Sequence, residues 1–137
     1  MNIVIVEDDE PASKVLQTLL QREGIASLAF HDAASFFAAK LNPLPDVLLV
    51  DLLLPGGIDG FKVCEAVRRT PALRFTPIIV MTGLAWKGDK ELKQELMQRF
   101  GVTVLLRKPF RRQDLIDGIT RVSPQWHTKV QKPKLKD

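Results

Sequence analysis

Residues 47–60 read VLLVDLLLPGGIDG, and the run Val47–Val50 that opens this stretch is apolar without interruption. Four apolar residues, bounded by Asp51 and then by Pro55, Gly56 and Gly57, fit a short strand covered on both faces, as parallel strands are. Outward from it, Ile3–Val6, Ala26–Phe30, Ile78–Met81 and Thr103–Leu106 follow the same pattern. Between these runs lie longer stretches with helical spacing. Pro11–Glu23 sets Ala12, Val15, Leu16, Leu19 and Leu20 on one face; Pro11 suits a first turn and Gly24 a C-terminal stop. Further helices are predicted from Asp32, a capping carboxylate, to about Lys40, and from about Phe61 to Arg69 with Val63, Cys64 and Val67 inward. Two more run from about Lys87 to Phe100 and from about Arg111 to Thr120. Strand and helix alternate about five times, which predicts an α/β fold: a doubly wound parallel sheet with right-handed crossovers.

Composition fits one globular domain of 137 residues, large enough to bury a core without staples. A lone Cys64 forms no internal disulfide, so a reducing, cytoplasmic setting is expected. No apolar run reaches the roughly 18 residues of a membrane span, and no signal-peptide pattern opens the chain, so neither membrane nor export is expected. The net charge of +4 invites a nucleic-acid reading, but most of it sits in residues 124–137, where Lys129, Lys132, Lys134 and Lys136 face only Asp137. Nucleic acid is therefore an unlikely partner for the domain itself. Residues 1–122 are read as the domain, and 123–137 as a basic, flexible tail or the start of a linker with little to bury.

Doubly wound sheets place ligands beyond the carboxyl ends of their strands. Four of the five predicted strand ends carry reactive side chains: Glu7-Asp8-Asp9-Glu10, Asp51, Thr82 and Lys108-Pro109. The second strand, ending near His31, contributes nothing, and His31 and His127 are read as surface residues. With the first and third strands adjacent, Glu7, Asp8 and Asp51 converge, and clustered carboxylates repel one another or hold protons. A bound cation resolves that conflict, and an all-oxygen set without Cys or His favours Mg²⁺ over Zn²⁺. Thr82 and Lys108 add a hydroxyl and an ammonium suited to phosphoryl oxygens. Asp51, alone at its strand end, is then a candidate nucleophile towards phosphorus.

Taken together, VIVEDDE, LLVDLLLPGGIDG, PIIVMTG and LLRKPF resemble, in order and near-matching spacing, the receiver domain of the bacterial two-component response-regulator family, over about residues 1–122. The resemblance implies a flavodoxin-like five-stranded parallel sheet of order 2-1-3-4-5 with five helices. It implies that Asp51 accepts a phosphoryl group from a histidine kinase or histidine phosphotransfer protein. By the same resemblance Asp8 would be the direct Mg²⁺ ligand, Glu7 would act through water, and the backbone carbonyl of Leu53 would be a further ligand beside Asp51. Thr82 and Lys108 match the family's hydroxyl and lysine, and a cis Lys108-Pro109 peptide is expected. Such a protein is a signalling switch and not a metabolic enzyme, although it catalyses its own phosphorylation and slow dephosphorylation.

The sequence also departs from that pattern. Leu105 stands where receivers commonly carry a switching aromatic, and the chain has no Tyr. The Thr82–Lys108 stretch is longer than usual, with Trp86, Lys87 and Gly88 after the fourth strand, and Gly56-Gly57-Ile58 lengthens the loop after Asp51. Leu53 and Leu84 match the two positions that in the family line the path of the hydrolytic water, and the resemblance then predicts slow self-dephosphorylation. Residue by residue, blander roles exist: EDDE complements a helix dipole, Cys64 packs in the core, and Arg68-Arg69, Arg74 and Arg111-Arg112 form solvated faces. Three other functions compete with the switch. The strongest is a receiver-fold adaptor that signals by protein binding without phosphorylation. A flavodoxin-like cofactor protein needs a phosphate-cradling loop where EDDE stands, and an aspartyl phosphohydrolase needs a second acid two residues after Asp51, where Leu53 stands.

Overall fold

The computed structural model describes residues 1–54, 59–83 and 89–129. In chain order the elements are β1 (Asn2–Val6), α1 (Glu10–Arg22), β2 (Ala26–Phe30), α2 (Ala33–Ala38), β3 (Val47–Asp51) and α3 (Gly60–Arg69). There follow β4 (Ile78–Thr82), α4 (Asp89–Phe100), β5 (Val104–Arg107) and α5 (Arg112–Val122). The strands form one parallel sheet of order β2-β1-β3-β4-β5, as expected from the sequence.

The apolar runs are continuous because both faces of the central strands are covered. Ile3 and Ile5 join Val47, Leu49, Ile79 and Met81 against Leu16 and Leu20 of α1 and Leu115 and Ile119 of α5. Their neighbours Val4, Val6, Leu48, Val50, Ile78 and Val80 meet α2, α3 and α4 on the opposite face. Each such side chain, fully buried, contributes roughly 1.5–3 kcal/mol of transfer free energy. Cys64 packs in this second layer as expected, and burial pushes its thiol up to about 12, so it is inert.

Local chemistry sets the helix ends. Gly24 takes φ 77° just past α1, the left-handed turn a glycine allows without strain. Asp32 caps α2, its Oδ1 accepting the Ser35 N–H at 2.6 Å, which holds its carboxyl below the ordinary range. The helix stops at Ala38, short of the expected Lys40, because Ala39 turns extended.

Two expectations change. The stretch after residue 122 is not wholly an unpacked tail. Trp126, 2% exposed, is buried in the α1/α5 layer and donates from Nε1 to Thr120 Oγ1 at 2.9 Å, with His127 stacked on its ring. A single large aromatic supplies enough apolar area to hold a short polar segment against the domain. Residues 130–137 lie outside the described residues. Arg68, read as part of a solvated face, donates from Nε to Phe100 O at 2.7 Å and from Nη1 to Arg74 O and Thr76 O at 3.1 and 2.7 Å. It thus joins the ends of α3 and α4 to the segment leading into β4.

Candidate functional site

β1, β3, β4 and β5 end at one edge of the sheet, and their register fixes what meets there. Val6 pairs with Val50, Asp51 with Met81 and Thr82 with Arg107, so Glu7, Asp51, Thr82 and Lys108 fall at neighbouring strand ends. The backbone ladder continues past the strands: Glu7 N–H donates to Phe30 O at 2.9 Å, Leu52 N–H to Met81 O at 2.8 Å, and Lys108 N–H to Thr82 O at 2.7 Å. The main chain therefore holds these residues before any side chain interacts. Among the described residues the buried polar side chains are Glu7, Ser13, Asp51 and Thr82, and three of these four share this edge. Buried polar groups are costly without partners, so their concentration here marks a built site.

The Lys108 ammonium is the central donor. Its Nζ bonds Glu7 Oε2 and lies 3.1 Å from Asp51 Oδ2. Asp51 Oδ1 accepts the Leu53 N–H at 3.0 Å, and Glu7 Oε1 accepts the Asp9 N–H at 3.3 Å. Carboxylate oxygens of Glu7, Asp8 and Asp51 lie within 4.8 Å of one another, with Asp8 exposed and the other two buried. Burial pushes the Glu7 carboxyl up to about 7; the Lys108 hydrogen bond opposes this and the Asp51 carboxylate adds to it. For Lys108, burial acts to lower the pKa, but the bonds and charges of Glu7 and Asp51 outweigh it and hold the ammonium above its ordinary value. Three acids against one fixed cation leave negative charge, and every side chain available to a metal is an oxygen donor. That set suits a hard divalent cation such as Mg²⁺.

Glu7, Asp8, Asp51, Thr82 and Lys108 all lie at this edge. Thr82 is fully buried, and the Lys108-Pro109 peptide is cis. Leu53, two residues after Asp51, is half exposed, and Leu105 is partly buried against the α2–α4 layer. Leu84, Trp86, Lys87, Gly88 and the Gly56-Gly57-Ile58 loop lie outside the described residues.

Two contributors were missed. A Cβ at Gly60 would lie 2.5 Å from Asp51 O and 2.7 Å from Leu52 Cα, so only glycine lets α3 start directly behind the Asp51 backbone. The signal was the Asp59-Gly60 pair, since Asp59 caps α3 through the Lys62 N–H at 3.1 Å. His31 is exposed, as expected, yet its Nε2 lies 3.1 Å from Ser13 Oγ. Nothing local in the sequence links residues 18 apart.

Similarity to known proteins agrees with this geometry. The response regulator PleD of Caulobacter vibrioides is 32% identical over 88 residues, which cover 64% of this chain and 19% of PleD. This chain thus spans about a fifth of that relative. A sensor protein from Polaromonas sp. JS666 superposes with TM-score 0.77 at 30% identity, covering 88% of this chain and 94% of the other. The receiver domain of sensor histidine kinase PA1611 from Pseudomonas aeruginosa PAO1, described with magnesium coordinated in its active site cleft, superposes with TM-score 0.71 at 27% identity over 88% and 94%. The family model described as the response regulator receiver domain matches residues 3–120, and the chain belongs to that family.

Proposed function

We propose that this domain is a phosphoacceptor switch, in which Asp51 takes a phosphoryl group from the phosphohistidine of a kinase or phosphotransfer protein with Mg²⁺ bound beside it. The observation that carries the proposal is the buried Asp51 carboxylate, held by Lys108 at 3.1 Å and by the Leu53 amide at 3.0 Å beside two further acids. Asp8 and Asp51 would hold the metal, together with the Leu53 carbonyl, and Glu7 would act through water. When bound, Mg²⁺ neutralises phosphoryl charge and orients the group for in-line transfer. An Asp51 oxygen attacks phosphorus as the P–N bond of the donor breaks; the electron pair leaves on the imidazole nitrogen, which is then protonated. Lys108 supplies positive charge to the phosphoryl oxygens as transfer proceeds, and Thr82 offers a hydroxyl.

A donor must dock next to Asp51. An apolar groove of about 420 Å³, lined by Val15, Leu19, Pro109 and Phe110, abuts Glu7 and Lys108, and Val15 is 60% exposed there. That surface fits the face of a partner helix. On this reading the chemistry is self-modification rather than turnover of a metabolite, and the setting is the cytoplasm. No helix among the described residues is long and apolar enough to cross a membrane.

Intact-mass measurement after incubation with acetyl phosphate, with and without Mg²⁺, tests the proposal. A Mg²⁺-dependent gain of one phosphoryl group, absent in Asp51→Asn, is expected. No gain from acetyl phosphate or from a phosphorylated histidine phosphotransfer protein, together with no Mg²⁺ binding, would leave the phosphorylation-independent adaptor as the better reading.

A further inference from the structure

We infer that His31, acting through Ser13, is a positioning residue for the acidic loop that holds the metal, an inference that rests on the Mg²⁺ reading above. Ser13 is 1% exposed, and among the described residues it is the one buried polar side chain outside the four strand ends already described. Its Oγ lies 2.9 Å from Glu10 O and 3.1 Å from His31 Nε2. A carbonyl only accepts, and a hydroxyl has one proton. Ser13 therefore donates to Glu10 O, and the contact with the imidazole is a hydrogen bond only if His31 Nε2 donates. With the Ser13 hydroxyl bonded to Glu10 O, the chain runs from the Nε2-protonated tautomer of His31 to Ser13 to Glu10.

This chain closes a frame around residues 7–10. At one end Glu7 N–H donates to Phe30 O at 2.9 Å, one residue before His31. At the other, Ser13 N–H donates to Asp9 O at 2.9 Å, and its hydroxyl takes the Glu10 carbonyl. Inside the frame, Asp9 N–H donates to Glu7 Oε1 at 3.3 Å. Asp9 is the N-cap of α1 and makes no side-chain cap bond, whereas the Ser13 hydroxyl bonds the first turn of the helix from within. The end of β2 thereby reaches the site after all. Without His31, Ser13 Oγ loses the one donor that bonds it among the described residues, its rotamer is less constrained, and the backbone that carries Asp8 loosens. Groups that orient metal ligands typically affect affinity by 10–100-fold when they contact the ligand directly. One step further away, about a fivefold effect is expected.

The test is Mg²⁺ affinity by calorimetry, measured at one pH for wild type, His31→Leu, His31→Gln, Ser13→Ala and the Ser13→Ala/His31→Leu double variant, each with its melting temperature. Glutamine is the conservative choice because its Nε2 donates from a comparable reach. His31→Leu is expected to bind Mg²⁺ about fivefold more weakly with little change in melting temperature, since His31 is exposed. His31→Gln should return to within twofold of wild type, and the double variant should be no weaker than Ser13→Ala alone. In the same series, the backbone amide of Ser13 should exchange faster with solvent in metal-free His31→Leu. Unchanged affinity in His31→Leu, or a loss that glutamine fails to restore, overturns this inference while leaving the Mg²⁺ site intact. Failure of wild type to bind Mg²⁺ at all overturns the site reading, and this inference with it.

Discussion

The ammonium of Lys108 lies 3.1 Å from Asp51 Oδ2, although 57 residues separate them in the chain. It arrives there because β5 pairs with β4 and β4 with β3, so its position is set by strand register. Lys108 also bonds Glu7, and it therefore faces two acids before any phosphoryl group is present.

Replacing Lys108 should separate two roles. In Lys108→Met, phosphoryl uptake from acetyl phosphate should slow about 10²–10³-fold, the usual effect of removing a donor aimed at developing charge. Mg²⁺ affinity should hold or rise, since a cation beside three acids is removed. Time-resolved intact mass and a Mg²⁺ titration check this; uptake within threefold of wild type would sink the assigned role.

Glu7 makes stability depend on pH in an unusual direction. A carboxyl raised from 4.5 to about 7 keeps its proton in the folded state while the unfolded chain has lost its own. Below about pH 4.5 both states are protonated and Glu7 has no effect; as pH rises towards 7 it increasingly destabilises the metal-free fold. Above pH 7 the full effect is present, on the order of 1–3 kcal/mol. Urea unfolding in a chelator at pH 5 and pH 8 should show Glu7→Gln gaining stability over wild type mainly at pH 8. An equal gain at both pH values would refute the protonation account.

Leu53 should lengthen the life of the phosphorylated state. It is half exposed next to Asp51 and offers no polar atom from its side chain to orient an attacking water. Leu53→Asn should shorten the half-life of the Asp51 phosphoryl group several-fold, followed by mass after donor removal. An unchanged half-life would count against Leu53 as the barrier.

Trp126 should stabilise the whole domain. Truncating a buried tryptophan costs about 3–5 kcal/mol, and Trp126→Ala also leaves Thr120 Oγ1 without its indole donor. The melting temperature should fall by more than about 10 °C. Trp126→Phe, which keeps most of the apolar area, should recover over half of that loss. A shift of under about 3 °C for alanine would show that the segment does not carry stability.

How much of this was legible followed from where each interaction keeps its partners. The sheet was readable because Ile3–Val6, Val47–Val50 and Ile78–Met81 are covered on both faces, and that burial writes itself as unbroken apolar runs. The site was readable because Glu7, Asp51, Thr82 and Lys108 interrupt those runs at strand ends, where packing has no use for charge. The packing of the segment around Trp126 was not legible because one aromatic among Pro, Lys and Gln gives no periodicity. Arg68 and His31 were missed for a different reason. Arg68 is held by backbone carbonyls, and every residue type carries one of those. His31 meets a serine on another element, a pairing that only the folded chain defines.

The three carbonyls gathered by Arg68 also anchor one end of α4. The C-terminal end of α4 is tied through Phe100 O to Arg68 of α3, and through that guanidinium to the segment leading into β4. The 12 residues of α4 make an arm about 18 Å long. A tilt of about 10° around Phe100 would leave that end in place while carrying the Asp89 end through about 3 Å.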